Sequence, residues 1–253
     1  MRIDMTASEW HQLVRPVLPH TLKDSDFPEL SHVRVEAGSA ALYAVATDRY
    51  TLGAERRLLA RADRGQPQPP VHVLATDVKA SLTLFSYTKD ADPDLTVTID
   101  TVVIPSEVMG QHASYSSMAV TLTSGDGSKM VMHDRRMPHR DPLERWQRLV
   151  SGAMARTQGG TLSGMDLSPD HLGRWKDAVR AGERLTLWTG PRRKDVVLVT
   201  VDEHFAGLWS PSLWSSAESP AMPDPAGLPW LAELDGVDPE TGELMTGDSV
   251  SGD

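Results

Sequence analysis

The sequence predicts an α+β fold built by repeating one unit, a helix followed by three antiparallel strands. Three observations carry this. Caps and apolar periodicity mark helices along the chain, strand-like runs follow them, and the same order returns after a Gln/Pro-rich stretch at 65–70. The pattern predicts sheets with their helices segregated to one face.

The first helix is announced by Thr6-Ala7-Ser8-Glu9, which has capping-box spacing, with Trp10, Leu13, Val14 and Val17 at i, i+3, i+4 and i+7; Pro19 ends it. Strand-like runs follow at 33–36, 42–47 and 50–54, turned by Gly38-Ser39 and Asp48-Arg49. After the 65–70 linker, 71–74 reads as a strand and 76–88 as a helix with Val78, Leu82 and Phe85 on one face. Strands are predicted at 95–100, 118–123 and 129–133, the last two joined by the turn-rich 124–128, with 101–117 mainly loop. A third helix is predicted over 143–156, striped by Leu143, Trp146, Leu149 and Val150. Ser168-Pro169 supplies an N-cap with proline at the first helical position. The helix it opens is predicted to run to about Ala181 with Leu172, Trp175 and Val179 inward, stopped by Gly182. Strands at 184–189, 195–201 and 204–209 close the body, and the chain beyond Pro211 reads as disordered.

Composition narrows the function. At 253 residues the chain buries a sizeable core. No apolar run reaches the roughly 18–20 residues of a membrane span, and the N-terminus has no apolar signal region. With no cysteine there is no disulfide framework or thiolate metal site, and a cytoplasmic location is expected. The net charge of −10 belongs to the tail: nine of the 35 acidic residues and no Lys or Arg lie in 216–253, leaving 26 acidic against 25 basic groups in 1–215. A body near neutrality neither repels a polyanion nor carries the signature of a dedicated nucleic-acid binder.

Ala44-Val45-Ala46-Thr47-Asp48-Arg49-Tyr50-Thr51-Leu52-Gly53 resembles the "ATDGHRLA" segment of the bacterial sliding DNA clamp, the β subunit of the replicative polymerase. In that family the segment lies on the wall of a pocket where client proteins dock a short peptide. The stretch from Lys129 to Pro138 resembles the exit of the family's middle domain, "SKLVDGRFPDY", and Gly207-Leu208-Trp209-Ser210-Pro211 stands where the family has its "VMPM" strand. The resemblance covers about three quarters of the chain and implies a sliding-clamp-like fold. Residues 1–142 would be a complete clamp-like domain, 143–215 a truncated second one, and 216–253 an acidic tail. The family's Gly-His-Arg is here Arg49-Tyr50-Thr51, so the pocket would have altered selectivity or be filled by Arg49 and Tyr50. Closed clamps need six domains per ring, and this chain holds fewer than two.

Carried over residue by residue, the resemblance implies peptide docking by Thr47, Asp48, Tyr50, Leu52, Trp209 and Pro211. An apolar cleft with a few polar groups suits a hydrophobic peptide anchor. Non-sequence-specific contact with duplex DNA would come from Lys79, Arg145, Arg148, Arg156, Arg174, Lys176 and Arg180 on the helices, Lys176 and Arg180 sharing a face at i, i+4. The plain alternative is that Leu52 and Trp209 are core strand residues, Asp48 a turn former, and the basic groups solvated faces of amphipathic helices.

Bond chemistry finds little support. Asp90-Ala91-Asp92-Pro93-Asp94 opens like a calcium loop, but Leu95 stands where glycine is needed and Thr101 where a bidentate glutamate belongs. The histidines show no helical zinc spacing, and phosphate-cradling and nucleophile-elbow motifs are absent from the sequence. His133 and His139 with Arg135, Arg136 and Arg140 form a basic elbow, and Arg192-Arg193-Lys194 a basic turn; linker and solvated turn are the bland readings of each. No cofactor is expected. In the tail, the apolar island 228–234 is expected to dock in a groove of this chain or a neighbour, or to form a short helix on the body. The sequence thus points to a non-enzymatic docking platform or processivity factor near DNA, binding client peptides and assembling with copies of itself. The alternative is a monomeric or dimeric clamp-fold module that binds proteins without encircling DNA. An enzyme using the Asp48–Tyr50 region and the basic elbow is a third reading.

Overall fold

A computed structural model describes residues 1–22, 26–108, 111–135, 141–155, 169–190 and 196–210, with backbone alone over 104–108, 111–115 and at Pro169. The Thr157–Asp166 connection, Ser168, His139, Arg136, Arg140, the basic turn at 192–194, Pro211 and the tail with its apolar island lie outside the described residues.

Each repeat begins with a strand. Strand β1 (Arg2–Thr6) leads into helix α1 (Ala7–Val14), then β2 (His32–Ala37), β3 (Ala41–Thr47) and β4 (Thr51–Leu58). Strand β5 (Val71–Leu74) leads into α2 (Ala75–Leu84), then β6 (Asp94–Val108), β7 (Gln111–Ser124) and β8 (Lys129–His133). The two leading strands are exchanged: β1 pairs with β6 in the sheet β1-β6-β7-β8, while β5 pairs with β2. The first strand escapes the sequence reading because it is five residues long. Its signal is there in the alternation of exposed Arg2 and Asp4 with buried Ile3 and Met5.

The capping box forms as predicted, Thr6 accepting from the Glu9 amide at 3.3 Å while the Glu9 carboxylate accepts from the Thr6 amide at 2.8 Å. The acidic run at 90–94 supplies a second cap: Asp92 accepts from the amide of Ser8 at 2.8 Å and from its hydroxyl.

The last part of the chain brings α3 (Trp146–Met154), the short α4 (Pro169–Gly173), and strands β9 (Leu185–Trp188), β10 (Val197–Val201) and β11 (Phe205–Trp209). Strand β11 pairs antiparallel with β4, which makes one seven-stranded sheet, β5-β2-β3-β4-β11-β10-β9. Leu52 lies opposite Leu208 and Thr51 opposite Trp209.

Three expectations are corrected. Residues 101–117 are mostly strand: β6 and β7 stay paired from Leu95–Ser124 out to Val108–Gln111, well past the ends of β1 and β8. The Val/Ile content of 102–104 was the missed signal. The fourth helix is not continuous, because α4 gives way to a 3-10 turn at Arg174–Ala178. Trp175 and Ala178, at the three-residue spacing of that turn, are the inward residues, and Leu172 is 40 % exposed. Trp175 packs on bare backbone at Gly207, where an added Cβ would lie 2.3 Å from the indole ring.

The helices, finally, are not all on one face. The main core joins α1, α2 and Trp175 to Leu42, Ala44, Ala46, Val197, Val199, Phe205 and Trp209. Alternation along the strands sends Val45, Leu52, Ala54, Leu198 and Leu208 to the opposite face, where Leu143, Trp146, Val150 and Ala153 cover them in a separate, smaller core. The seven-stranded sheet is therefore buried on both sides: α1 and the 174–178 turn lie on what we call the inner face, and α3 on the outer.

Candidate functional site

The motif centres on the turn between β3 and β4. Asp48 is 2 % exposed, and one of its carboxylate oxygens accepts from the amides of Tyr50 (3.0 Å) and Thr51 (2.7 Å) and from the Thr51 hydroxyl (2.9 Å). This is an Asx turn, and it holds Arg49 in the left-handed region (φ 78°) with its guanidinium 3.8 Å from the centre of the Phe27 ring. The other Asp48 oxygen pairs with Arg174, which also donates to Thr51 Oγ1 at 3.0 Å. Burial lifts the Asp48 carboxyl, but hydrogen bonds from Thr51 and Arg174 outweigh it and hold it below the usual carboxylate range.

His20 completes the network from beneath. Its Nδ1 lies 2.9 Å from Thr51 Oγ1, and because that hydroxyl donates to Asp48, Nδ1 is the donor in the pair. Nε2 is then unprotonated, buried and without a hydrogen-bond partner among the described residues. Burial drives the His20 pKa down to about 3, against the pull of Asp48, so the ring is neutral. The imidazole lies over Gly53, where any Cβ would collide with it at 2.4 Å, and packs 4.4 Å from Trp175.

The structure therefore uses the motif as an internal joint more than as an open cleft. Thr47 donates to the Thr51 carbonyl at 2.8 Å and is half-buried. Leu52 (5 % exposed) faces the outer core and Trp209 (1 %) the inner one, so these two do not meet in one pocket. Tyr50, at 57 %, is the exposed aromatic, its ring 6.3 Å from His171, which meets Trp209 edge-on at 5.9 Å. Pro211 lies outside the described residues. The residue that shares a face with Leu52 is its cross-strand partner Leu208, which strand alternation could have identified.

The basic candidates divide in the same way. Lys79 on α2 and Lys176 are exposed. Arg145 and Arg148 are exposed beside and on α3, on the far side of the sheet, so they cannot act on one duplex together with Lys79. Arg174 is spent on Asp48, and Arg180 pairs with buried Glu55 at 2.8 Å. Lys176 and Arg180 lose their shared face because the helix ends at Ala178 and Val179 is extended. Arg156 lies outside the described residues. The reading missed Arg15, which with His11, Lys79 and Asp177 rims a cavity of about 550 Å³ between α1 and α2 and pairs with Asp177 at 3.2 Å.

On the outer face, a polar cluster stands beside the small core. Arg34 on β2 pairs with Asp141 and with Glu36 (3.0 Å), and His72 on β5 reaches Asp141 at 3.2 Å. Glu36 accepts from Trp146 Nε1 at 3.2 Å and from Gln147 at 3.1 Å. Burial works against a charged His72, but Asp134 and Asp141 outweigh it and raise its pKa. A second cluster, at the far end of β4, sets Glu55 (1 % exposed) against Arg180 and against His204 Nδ1 at 2.9 Å, while His204 Nε2 meets Glu183 at 3.1 Å. Burial pushes the Glu55 carboxyl up, to about 9, with Arg180 pulling the other way. Among the described residues no group of three or more His, Asp or Glu is placed to hold a metal ion, and no helix is long and apolar enough to cross a membrane.

No protein-family model and no curated protein matches the sequence. Solved structures do match the fold. The DNA polymerase III β subunit of Thermotoga maritima superposes with a TM-score of 0.56 at 12 % identity over 85 % of this chain and 66 % of that one. The β subunit from the DNA polymerase of Streptococcus pyogenes gives 0.58 at 11 % identity over 85 % and 66 %. The DNA polymerase sliding clamp of Bacillus subtilis gives 0.54 at 12 % over 85 % and 65 %. The chain thus has the sliding-clamp fold in shortened form, spanning about two thirds of the length of the clamps it matches.

Proposed function

We propose that this protein is a non-enzymatic docking platform or processivity factor that works near DNA, assembled from copies of itself. The observation that carries this reading is the joint between β4 and β11. The last strand of one repeat pairs edge to edge with the last strand of another, which is how repeats of this kind extend a sheet from one to the next. By the internal repetition, β8 is the counterpart of β4, and among the described residues no strand covers its outer edge; β9 likewise ends its sheet. An open edge is a template for pairing with another chain. The leading edges differ: β1 is flanked by the charged, exposed Arg2 and Asp4, and the β5 edge is bonded by Asp134 and Arg135. A neighbour is therefore expected at β8 and β9.

A non-enzymatic role fits the motif, where Asp48, Thr51, His20 and Arg174 are bonded to one another and the His20 ring is buried. Duplex DNA is the proposed partner of the helical face through Arg15, Lys79 and Lys176, touching phosphates without reading sequence. Client peptides are the second class of partner, and the cytoplasm the proposed location. Retention on a nicked circular plasmid tests the reading: the protein should stay bound to the circle at moderate salt and fall off once the circle is linearised. Equal loss from both forms would overturn it.

One observation favours a second reading, a protein-binding module that does not encircle DNA. Two basic residues on or near the helical face, Arg15 and Arg174, are paired with Asp177 and Asp48, leaving less free positive charge.

A further inference from the structure

The outer face of the sheet carries an apolar groove with an occupant already in it. Val45, Leu52, Ala54, Leu198 and Leu208 line it, and α3 lies across them through Trp146, Val150 and Ala153. These contacts fall at i, i+4 and i+7 of a nine-residue helix, the pattern by which an amphipathic peptide seats in a groove. So short a helix does not hold its shape in water without the surface it covers. Its far side carries two exposed apolar residues, Leu149 at 50 % and Met154 at 52 %. The segment is fastened ahead of the helix, where Asp141 meets Arg34 and His72 and caps Leu143 at 2.9 Å, and at the helix start, where Trp146 donates to Glu36. Neither the nine-residue core nor this polar fastening shares a residue with the main core. Detaching α3 therefore removes no residue from the main core.

We propose that this groove is the platform's docking site for a client helix, and that α3 holds it in cis as a displaceable competitor. The inference rests on the docking reading above and deepens it. The chemistry of the client is read from the occupant. It is an amphipathic helix presenting an aromatic residue, an aliphatic residue four positions on and a small residue three beyond that, with a carboxylate five positions before the aromatic to meet Arg34. Leu52 belongs to this site with Leu208, and the buried Trp209 does not. Because α3 is tethered, it competes at a high effective concentration, and a client must match its contacts or find it already loosened.

The test uses the full-length chain and a fluorescent peptide of residues 141–155, read by anisotropy. The peptide should bind the unaltered chain weakly, because α3 occupies the groove, and bind a Val150→Asp chain at least tenfold more tightly. Adding Leu208→Asp should abolish that gain. Equal affinity for the unaltered and Val150→Asp chains, or a gain that survives Leu208→Asp, would overturn the proposal. Hydrogen exchange on the unaltered chain keeps it falsifiable should Val150→Asp fail to fold. Amides of Trp146–Met154 should exchange at least a hundredfold faster than those of β4, by local opening. Exchange of both at one rate would mean that α3 leaves only on global unfolding, and the idea falls. Neither readout involves DNA, so failure here with retention on circular DNA intact would sink this inference alone.

Discussion

The two faces of the seven-stranded sheet are built by different rules. On the inner face, large side chains meet bare backbone: Trp175 sits on Gly207 and His20 on Gly53, with no room for a methyl group at either place. Its buried polar groups form two clusters, Asp48–Thr51–His20–Arg174 and Glu55–Arg180–His204–Glu183, and its core is continuous with that of both helices. On the outer face a single short helix, with Leu143 ahead of it, covers five sheet residues and is fastened by groups nearer to solvent. The motif is thus committed to structural contacts on the inner face, while the outer face carries the groove proposed above for docking.

The largest effect that would sharpen this comparison is Trp175→Ala. A buried tryptophan in a packed core is expected to cost about 3–5 kcal/mol of global stability, seen as a lower urea midpoint. Trp146→Ala on the outer face should behave differently. Its global cost is capped by the free energy of docking α3, so the urea midpoint should move by less than half as much while exchange of the α3 amides accelerates. A Trp146→Ala chain as unstable as Trp175→Ala would break the comparison.

Next comes Asp48→Asn. It keeps the size but removes the charge, leaving Arg174 unpaired and two amides short of a strong acceptor. Breaking a buried pair costs about 3–5 kcal/mol, and the partial exposure of Arg174 brings the expectation to about 2–3 kcal/mol.

The pH dependence should separate His20 on the inner face from His72 on the outer by sign. The folded pKa of His20 lies far below the ordinary 6.5, so its unfolded form takes up a proton that the folded form refuses. The His20 contribution is full above pH 6.5 and falls as pH drops toward about 3. The folded pKa of His72 is raised, so its contribution is full below pH 6.5 and is lost as pH rises through the folded value. Exchange at α3 should therefore quicken on going from pH 6 to pH 9, after correction for intrinsic rates. His72→Gln should remove that change, and His20→Gln should leave it in place. The smallest effect is Thr6→Ala, which removes the cap of α1 and should cost about 1 kcal/mol.

Much of the fold was legible because its signals are local. The capping box, the Trp10–Leu13–Val14 stripe and the strand-like runs of β2 and β3 each sit within eight residues. What escaped depends on partners distant in sequence. Whether 101–117 is strand is decided by a hairpin partner that no window on either strand contains. The break at Arg174 follows from fitting Trp175 to Gly207, 32 residues away. The side on which α3 would lie was invisible, since an amphipathic stripe specifies a buried face and not the surface that buries it. The site was legible as a motif, and its residues divide between the two faces of the sheet. Leu52 and Trp209 were paired by family position, whereas the antiparallel register pairs Leu52 with Leu208 and turns Trp209 inward.

The most direct test of the central claim, a clamp-fold platform assembled from several copies, is absolute mass in solution by light scattering over a range of concentrations and at two salt levels. The account predicts a stable closed oligomer of at least three chains, held through the β8 and β9 edges and insensitive to salt. A monomer at every concentration, or a dimer too small to close, would contradict it and leave a clamp fold that binds proteins without encircling DNA.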